Sequence, residues 1–181
     1  ACTGGTLLEV AWQQGVAPAY FDWAAETGFP CVEVSCGVAT MGAAAKAELI
    51  EAATERFIVL AEIGSKDPLT TAVPQAWAAE ATADLAAGAT WVVTEGRESG
   101  TVGLFAADGQ VRPEVVDAVV AAIGVGTTVF EAPQKEQQAW LIRRFGPDVN
   151  LANIAPADAL GLEALRLGLR ADTFDNRVRA R

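Results

Sequence analysis

Apolar positions along this chain fall into short, nearly continuous runs separated by Ala-rich stretches of helical character. Six runs read as strands, at residues 6–12, 31–35, 57–63, 90–95, 127–132 and 149–154. Residues 16–28, 41–55, 71–88, 112–124, 135–146 and 155–170 read as helices. Several of these close on a glycine (Gly28, Gly88, Gly124, Gly146), the usual residue at a helix C-terminus. Strands alternating with helices at about 30-residue spacing imply βα units on a parallel sheet. The unbroken apolar character of the runs implies strands covered on both faces. No linker or low-complexity tract interrupts the series, so the pattern predicts one α/β domain over residues 1–181 with about six βα units.

Two architectures accommodate six units: an open doubly wound sheet, or part of a (β/α)8 TIM-type barrel. The first usually carries a Gly-rich phosphate loop after its first strand. Neither G-x-G-x-x-G nor G-x-x-x-x-G-K-[ST] occurs here, and Gly64-Ser65-Lys66 lacks the required frame. The acids point towards the barrel. Glu9, Glu33, Glu62, Glu95 and Glu131 lie within or at the C-terminal end of five consecutive predicted strands, and the sixth offers Asn150 and Asn153. Carboxylates are costly to bury unpaired, but inward-pointing residues at the carboxyl ends of barrel strands converge on one mouth. A ring of carboxylates there needs a cation to neutralise it. Oxygen donors point to Mg2+ rather than zinc. For Glu9 and Glu33 an ion pair between layers is an equal alternative. Glu62, Glu95 and Glu131 are each followed by a polar or Gly-containing loop and are the candidate metal ligands.

Those loops also supply the bases. Gly64-Ser65-Lys66 follows Glu62, Gly96-Arg97-Glu98-Ser99-Gly100 follows Glu95, and Pro133-Gln134-Lys135 follows Glu131. Arg97 is suited to a planar clamp, Lys66 and Lys135 to point charges, and Lys66 is the best available proton donor. A mouth carrying both signs suits a phosphorylated, carboxylated substrate bridged by Mg2+, with helix N-termini adding positive dipole ends. Gln137, Gln138 and Trp140 stand open between a subunit contact and a solvated helix face.

Composition narrows the chemistry further. Net charge is -10, and 23 acids against 13 bases would repel nucleic-acid backbones and anionic lipid over most of the surface. The basic stretch 176–181 reads as a solvated terminus. No run of apolar residues approaches the roughly 20 needed to span a membrane. Histidine is absent, which removes Ser-His-Asp and Cys-His catalysis and His-dependent metal sites. Three cysteines, Cys2, Cys31 and Cys36, form an odd set without a secretion signal and fit a reducing cytoplasm. Cys31 and Cys36, read as lying in one strand, are too far apart to pair.

The segments TGGTLLE, VEVSCG, LAEIGSKDP, DLAAGA-x-WVVTEGRESG, FEAPQKEQQ-x-W-x-I, VNLANI and LR-x-GLRADTF run in order along the chain. Together they resemble the phosphosulfolactate synthase family and its heat-stress-associated plant relatives. The resemblance runs through nearly the whole chain, and EGRESG with EAPxKxQQ carries most of its specificity. It implies a (β/α)8-type barrel, a homo-oligomer, Mg2+ dependence, and addition of sulfite to phosphoenolpyruvate to give 2-phospho-3-sulfolactate, on the route to coenzyme M. Under that reading Glu62, Glu95 and Glu131 hold Mg2+ and Lys66 delivers a proton to C2 of the substrate. Arg97, Ser99 and Lys135 bind its anionic groups, with Asn153 and Arg170 as further substrate contacts. The alternatives are a non-catalytic, stress-associated binding protein, or another Mg2+-dependent enzyme acting on a phosphorylated acid. Six units average about 30 residues and a full barrel needs about 250, so the expectation is that two βα units precede Ala1.

Overall fold

The computed structural model describes residues 1–39, 41–65, 67 and 72–174. In chain order the elements are β1 (Cys2–Gly4), α1 (Thr6–Gln13), α2 (Ala17–Thr27), β2 (Cys31–Val34), α3 (Ala43–Thr54), β3 (Ile58–Ile63) and α4 (Pro74–Ala86). They continue as β4 (Trp91–Thr94), α5 (Pro113–Ile123), β5 (Thr128–Glu131), α6 (Lys135–Phe145), β6 (Leu151–Ala152) and α7 (Ala159–Arg166). The six strands form one sheet in the order β1-β2-β3-β4-β5-β6, and every neighbouring pair is parallel. Each crossover steps one strand further in the same direction. A doubly wound sheet would reverse its order at a switch point, so this is the path of a barrel.

The sheet is curled. A cavity of about 450 Å³ is lined by Glu33 of β2, Leu60 of β3, Val93 of β4, Glu131 of β5 and Ala152 of β6. A flat sheet could not bring residues four strands apart around one space. Strand residues alternate between the two sides. Val32, Val34, Val59, Ala61, Val92 and Phe130 are fully buried against the helical layer, while the residues between them face the lumen. The helical layer packs as two apolar clusters. One gathers around β2 and β3 with α1–α3, and the other around β4–β6 with α4–α7. No helix among the described residues is long and apolar enough to cross a membrane.

The first predicted strand is corrected. Residues 6–12 belong to α1, and the strand is the shorter Cys2–Gly4 just before it. Only Thr6 and Val10 of TLLEVAW are β-branched, and the rest of the run includes good helix formers. Gly4 and Gly5 make the turn between strand and helix: both have positive φ, and a Cβ on Gly4 would stand 2.1 Å from the Glu33 carbonyl oxygen. Cys36 is likewise not in β2, which ends at Val34. Lys66 and the basic stretch 176–181 lie outside the described residues.

Candidate active site

The loops that follow β4 and β5 are built as one unit at the carboxyl end of the sheet. Glu131 closes β5, and its Oε2 accepts hydrogen bonds from the backbone N–H groups of Gly96 (2.8 Å) and Arg97 (3.0 Å). The same Arg97 N–H donates to Glu95 Oε1 at 2.8 Å. One backbone donor therefore sits between two carboxylates from adjacent strands. Arg97 holds φ +53° and Asn153 φ +57°, and among the described residues these are the non-glycine positions with positive φ. Such conformations cost free energy and concentrate at functional sites. Both residues line the lumen cavity.

The Glu95–Gly100 segment is held from two sides. Gly103 brings the chain back against Glu95, where Leu104 N–H donates to the Glu95 carbonyl at 3.0 Å. Gly103 has φ +65°, and a Cβ there would stand 2.0 Å from that carbonyl oxygen. From the other side, Gln134 Nε2 donates to the Ser99 carbonyl (2.7 Å), and Gln137 Nε2 to the carbonyls of Gly100 (2.8 Å) and Gly109 (3.0 Å). Gln137 Oε1 accepts from the Gln134 N–H at 3.1 Å, completing a capping box at the start of α6. Gln138 Nε2 donates to the Ala132 carbonyl at 2.9 Å. Both glutamines are buried. Neither presents a solvated face: Gln137 binds the EGRESG loop to the start of α6, and Gln138 holds the end of β5 against the same helix.

The lumen cavity is lined by Thr6, Glu33, Glu95, Arg97, Glu131 and Asn153 among others. Glu33 thus stands on the lumen side, and a Cβ added to Gly5 would lie 2.9 Å from its Oε1. Thr6 was missed as a site residue because it was read as the start of a strand. The TGG turn ahead of it was the available signal. Glu98, also on the cavity wall, had no signal beyond its place in EGRESG.

Glu9 is not on the lumen. It is buried in α1, and its carboxylate accepts hydrogen bonds from Ser35 Oγ and from the backbone N–H groups of Gly37 (3.0 Å), Val38 (2.8 Å) and Ala39. Burial raises its pKa, but these four donors together outweigh that and hold it below the ordinary carboxylate value. Glu9 shapes the loop after β2.

Glu62, at the end of β3, is also buried. Its backbone carbonyl accepts from Lys46 Nζ at 2.8 Å, and the same ammonium pairs with Glu80 and Asp84, each at 2.7 Å. Burial works against the Lys46 charge, yet the two carboxylates raise its pKa above the ordinary value. Burial pushes Asp84 up to about 6 despite the opposing Lys46.

Other predicted residues fall outside the lumen cavity. Lys135 and Arg170 line a separate space of about 420 Å³ near the start of α6. There Lys135 Nζ pairs with Asp172 Oδ2 at 2.7 Å, and that hydrogen bond holds the Asp172 carboxyl below its usual range. Ser99 Oγ lies 2.8 Å from Thr101 Oγ1. Asn150 Nδ2 donates to the carbonyls of Gly126 and Thr128, both at 3.2 Å, and so ties β6 to β5 rather than serving a site.

The carboxylate oxygens of the lumen suit a hard divalent cation. Among the described residues, no group of three or more acids or cysteines is gathered as a metal cage. Mg2+ is usually bound by one or two carboxylates, the remaining positions going to water and substrate oxygens. Glu95 and Glu131, within reach of one N–H, fit that mode.

Sequence comparison bears on what this site serves. Residues 1–172 match the profile of (2R)-phospho-3-sulfolactate synthase (ComA). The chain belongs to the phosphosulfolactate synthase family. It is 40% identical over 174 residues to the phosphosulfolactate synthase of Bacillus subtilis, covering 94% of this chain and 69% of the relative. It is also 40% identical over 175 residues to the Methanothermobacter thermautotrophicus phosphosulfolactate synthase, covering 94% and 68%. The Methanocaldococcus jannaschii phosphosulfolactate synthase is 39% identical over 178 residues, covering 94% and 70%. Membership makes this chain an enzyme of that family.

Proposed function

We propose that this protein catalyses addition of sulfite to C3 of phosphoenolpyruvate, giving 2-phospho-3-sulfolactate. The observation that carries the reading is the Glu95–Arg97–Glu131 arrangement on the lumen wall, with family membership behind it. The sulfur lone pair of sulfite forms the new C–S bond at C3, and the electrons of the C2–C3 double bond shift to C2 and the adjoining carboxylate. Charge building there needs preorganised cationic partners. Arg97 is the planar clamp for the substrate carboxylate or phosphate, and Asn153 offers an amide to the same space. Lys135 and Arg170 present positive charge at the neighbouring cavity, and Ser99 lies on the loop that carries Arg97. Lys66, three positions past the end of β3 in sequence, protonates C2 to complete the addition. Mg2+ held by Glu95 and Glu131, with Glu62 as a third candidate ligand, would supply positive charge at the developing carboxylate dianion.

The test is direct. Purified enzyme incubated with phosphoenolpyruvate, sulfite and Mg2+ is followed by phosphorus NMR and mass spectrometry. The expected result is an adduct carrying both phosphate and sulfonate. Arg97→Lys is expected to lower kcat/KM by about 100-fold, because an ammonium cannot reproduce two-point recognition of a carboxylate or phosphate. Absence of adduct at high enzyme concentration would remove this reading, and unchanged turnover in Lys66→Met would remove the proton-donor role.

A further inference from the structure

Cys2 and Cys31 are register partners on adjacent parallel strands, β1 and β2. Neighbouring strands lie about 4.8 Å apart, inside the Cα separation that a disulfide spans. The two sulfur atoms stand 3.0 Å from each other. Both side chains occupy the amino-terminal end of their strands, away from the Glu95–Arg97–Glu131 loops. Within the described residues Cys2 is exposed and Cys31 half-buried. The third cysteine is placed differently. Cys36 lies in the loop after β2, with its sulfur 3.8 Å from Glu80 Oε1.

We infer that Cys2 and Cys31 form a redox-active thiol pair that closes to an intramolecular disulfide when the protein meets a small-molecule disulfide. The Cys2 thiolate attacks one sulfur of oxidised glutathione, forming a mixed disulfide and releasing one glutathione thiolate. The Cys31 thiolate then attacks the Cys2 sulfur and displaces the second. Two protein thiols are oxidised, one glutathione disulfide is reduced to two thiols, and the protons balance through solvent. Burial, followed by the hydrogen bond to Cys31, raises the Cys2 thiol above its ordinary value, so closure speeds up as pH rises. The bond would span 29 positions and enclose α1 and α2, fixing β1 to its neighbour.

The experiment equilibrates the folded protein in oxidised and reduced glutathione, quenches with acid, alkylates free thiols and cleaves after glutamate. That cleavage places Cys2, Cys31 and Cys36 on separate peptides: the one ending at Glu9, 27–33 and 34–48. The expected product links the peptide ending at Glu9 to 27–33, with Cys36 alkylated. Oxidation is expected to raise the thermal midpoint by roughly 5–10 °C in the wild type. The same shift is expected in Cys36→Ser and none in Cys2→Ser or Cys31→Ser. Three outcomes would overturn the inference: glutathione mixed disulfides that persist without closure, a linkage through Cys36, or closure that requires denaturant. None of these readouts depends on catalytic activity, so the inference stands or falls apart from the proposed reaction.

Discussion

Glu9 shows how a buried carboxylate can be structural while others in the same chain line the lumen. Its charge is dispersed over four donors, three of them backbone N–H groups of residues 37–39, which would otherwise be left to find water. Glu9→Gln keeps the shape but presents an NH2 group to donors on one side, and the expected loss is about 2 kcal/mol in chemical denaturation. The pH dependence has a definite sign. Because the folded pKa lies below the ordinary value of 4.5, the contribution is fully present above that value and is lost as pH falls through the folded pKa. The gap between wild type and Glu9→Gln should therefore be constant from pH 8 to 6 and shrink below about pH 4.5. A gap that persists unchanged at pH 3 would mean the side chain contributes through packing alone.

At the scale of elements, Lys46 joins three of them: it sits on α3, pairs with Glu80 and Asp84 of α4, and donates to the end of β3. Replacing it with Met strands Asp84 in the interior, and the expected cost is about 3–5 kcal/mol. Asp84 already titrates at about 6 in the wild type, and without Lys46 its folded pKa rises further. A carboxyl that binds its proton more tightly in the folded state favours folding as pH falls. Urea unfolding of Lys46→Met should thus recover stability between pH 8 and 5, and Lys46→Met/Asp84→Asn should recover part of it at pH 8. Equal losses in the single and double variants would show that the pairing is not what Lys46 supplies.

Elements also mark where the sequence was readable. The five later strands and the six helices α2–α7 stood out because turn signals and apolar runs alternate clearly. Residues 6–12 did not, because a short apolar run reads alike as strand or helix, and the two-glycine turn that decides it lies before the run. The side of the sheet each strand residue faces was hidden too, since strands buried on both faces show no polar alternation. Glu9 and Glu33 looked equivalent because residues 6–12 read as a strand, although Glu9 sits on α1 and caps a loop while Glu33 lines the lumen. Gln137 and Gln138 look like solvated helix residues in sequence. Only the packing of α6 against the loops after β4 and β5 makes Gln137 an anchor of the EGRESG loop and Gln138 an anchor of Ala132.

For the molecule as a whole, charge and curvature meet in the lumen. A chain of net charge -10 turns Glu33, Glu95 and Glu131 towards one cavity, with Arg97 facing them. Like charges gathered in one cavity repel, and a bound cation would relieve that repulsion. A ligand that binds the native state and not the unfolded chain stabilises by about 2.7 kcal/mol at a hundredfold excess over its Kd. For a chain of this size that corresponds to about 5–10 °C in the thermal midpoint. Mg2+ titrated into the wild type should therefore raise the midpoint along a saturating curve. General screening of a -10 chain would also stabilise it, so NaCl at matched ionic strength is the reference, and only the excess counts. Glu131→Gln separates the charge from the scaffold: the amide oxygen can still accept from the Gly96 and Arg97 N–H groups, while the anionic ligand is gone. The excess shift should fall sharply in Glu131→Gln and in Glu95→Gln but survive in Glu9→Gln, whose carboxylate is committed to the loop after β2. An excess equal in all four proteins would place the cation elsewhere and leave the lumen carboxylates to act on substrate through Arg97 alone.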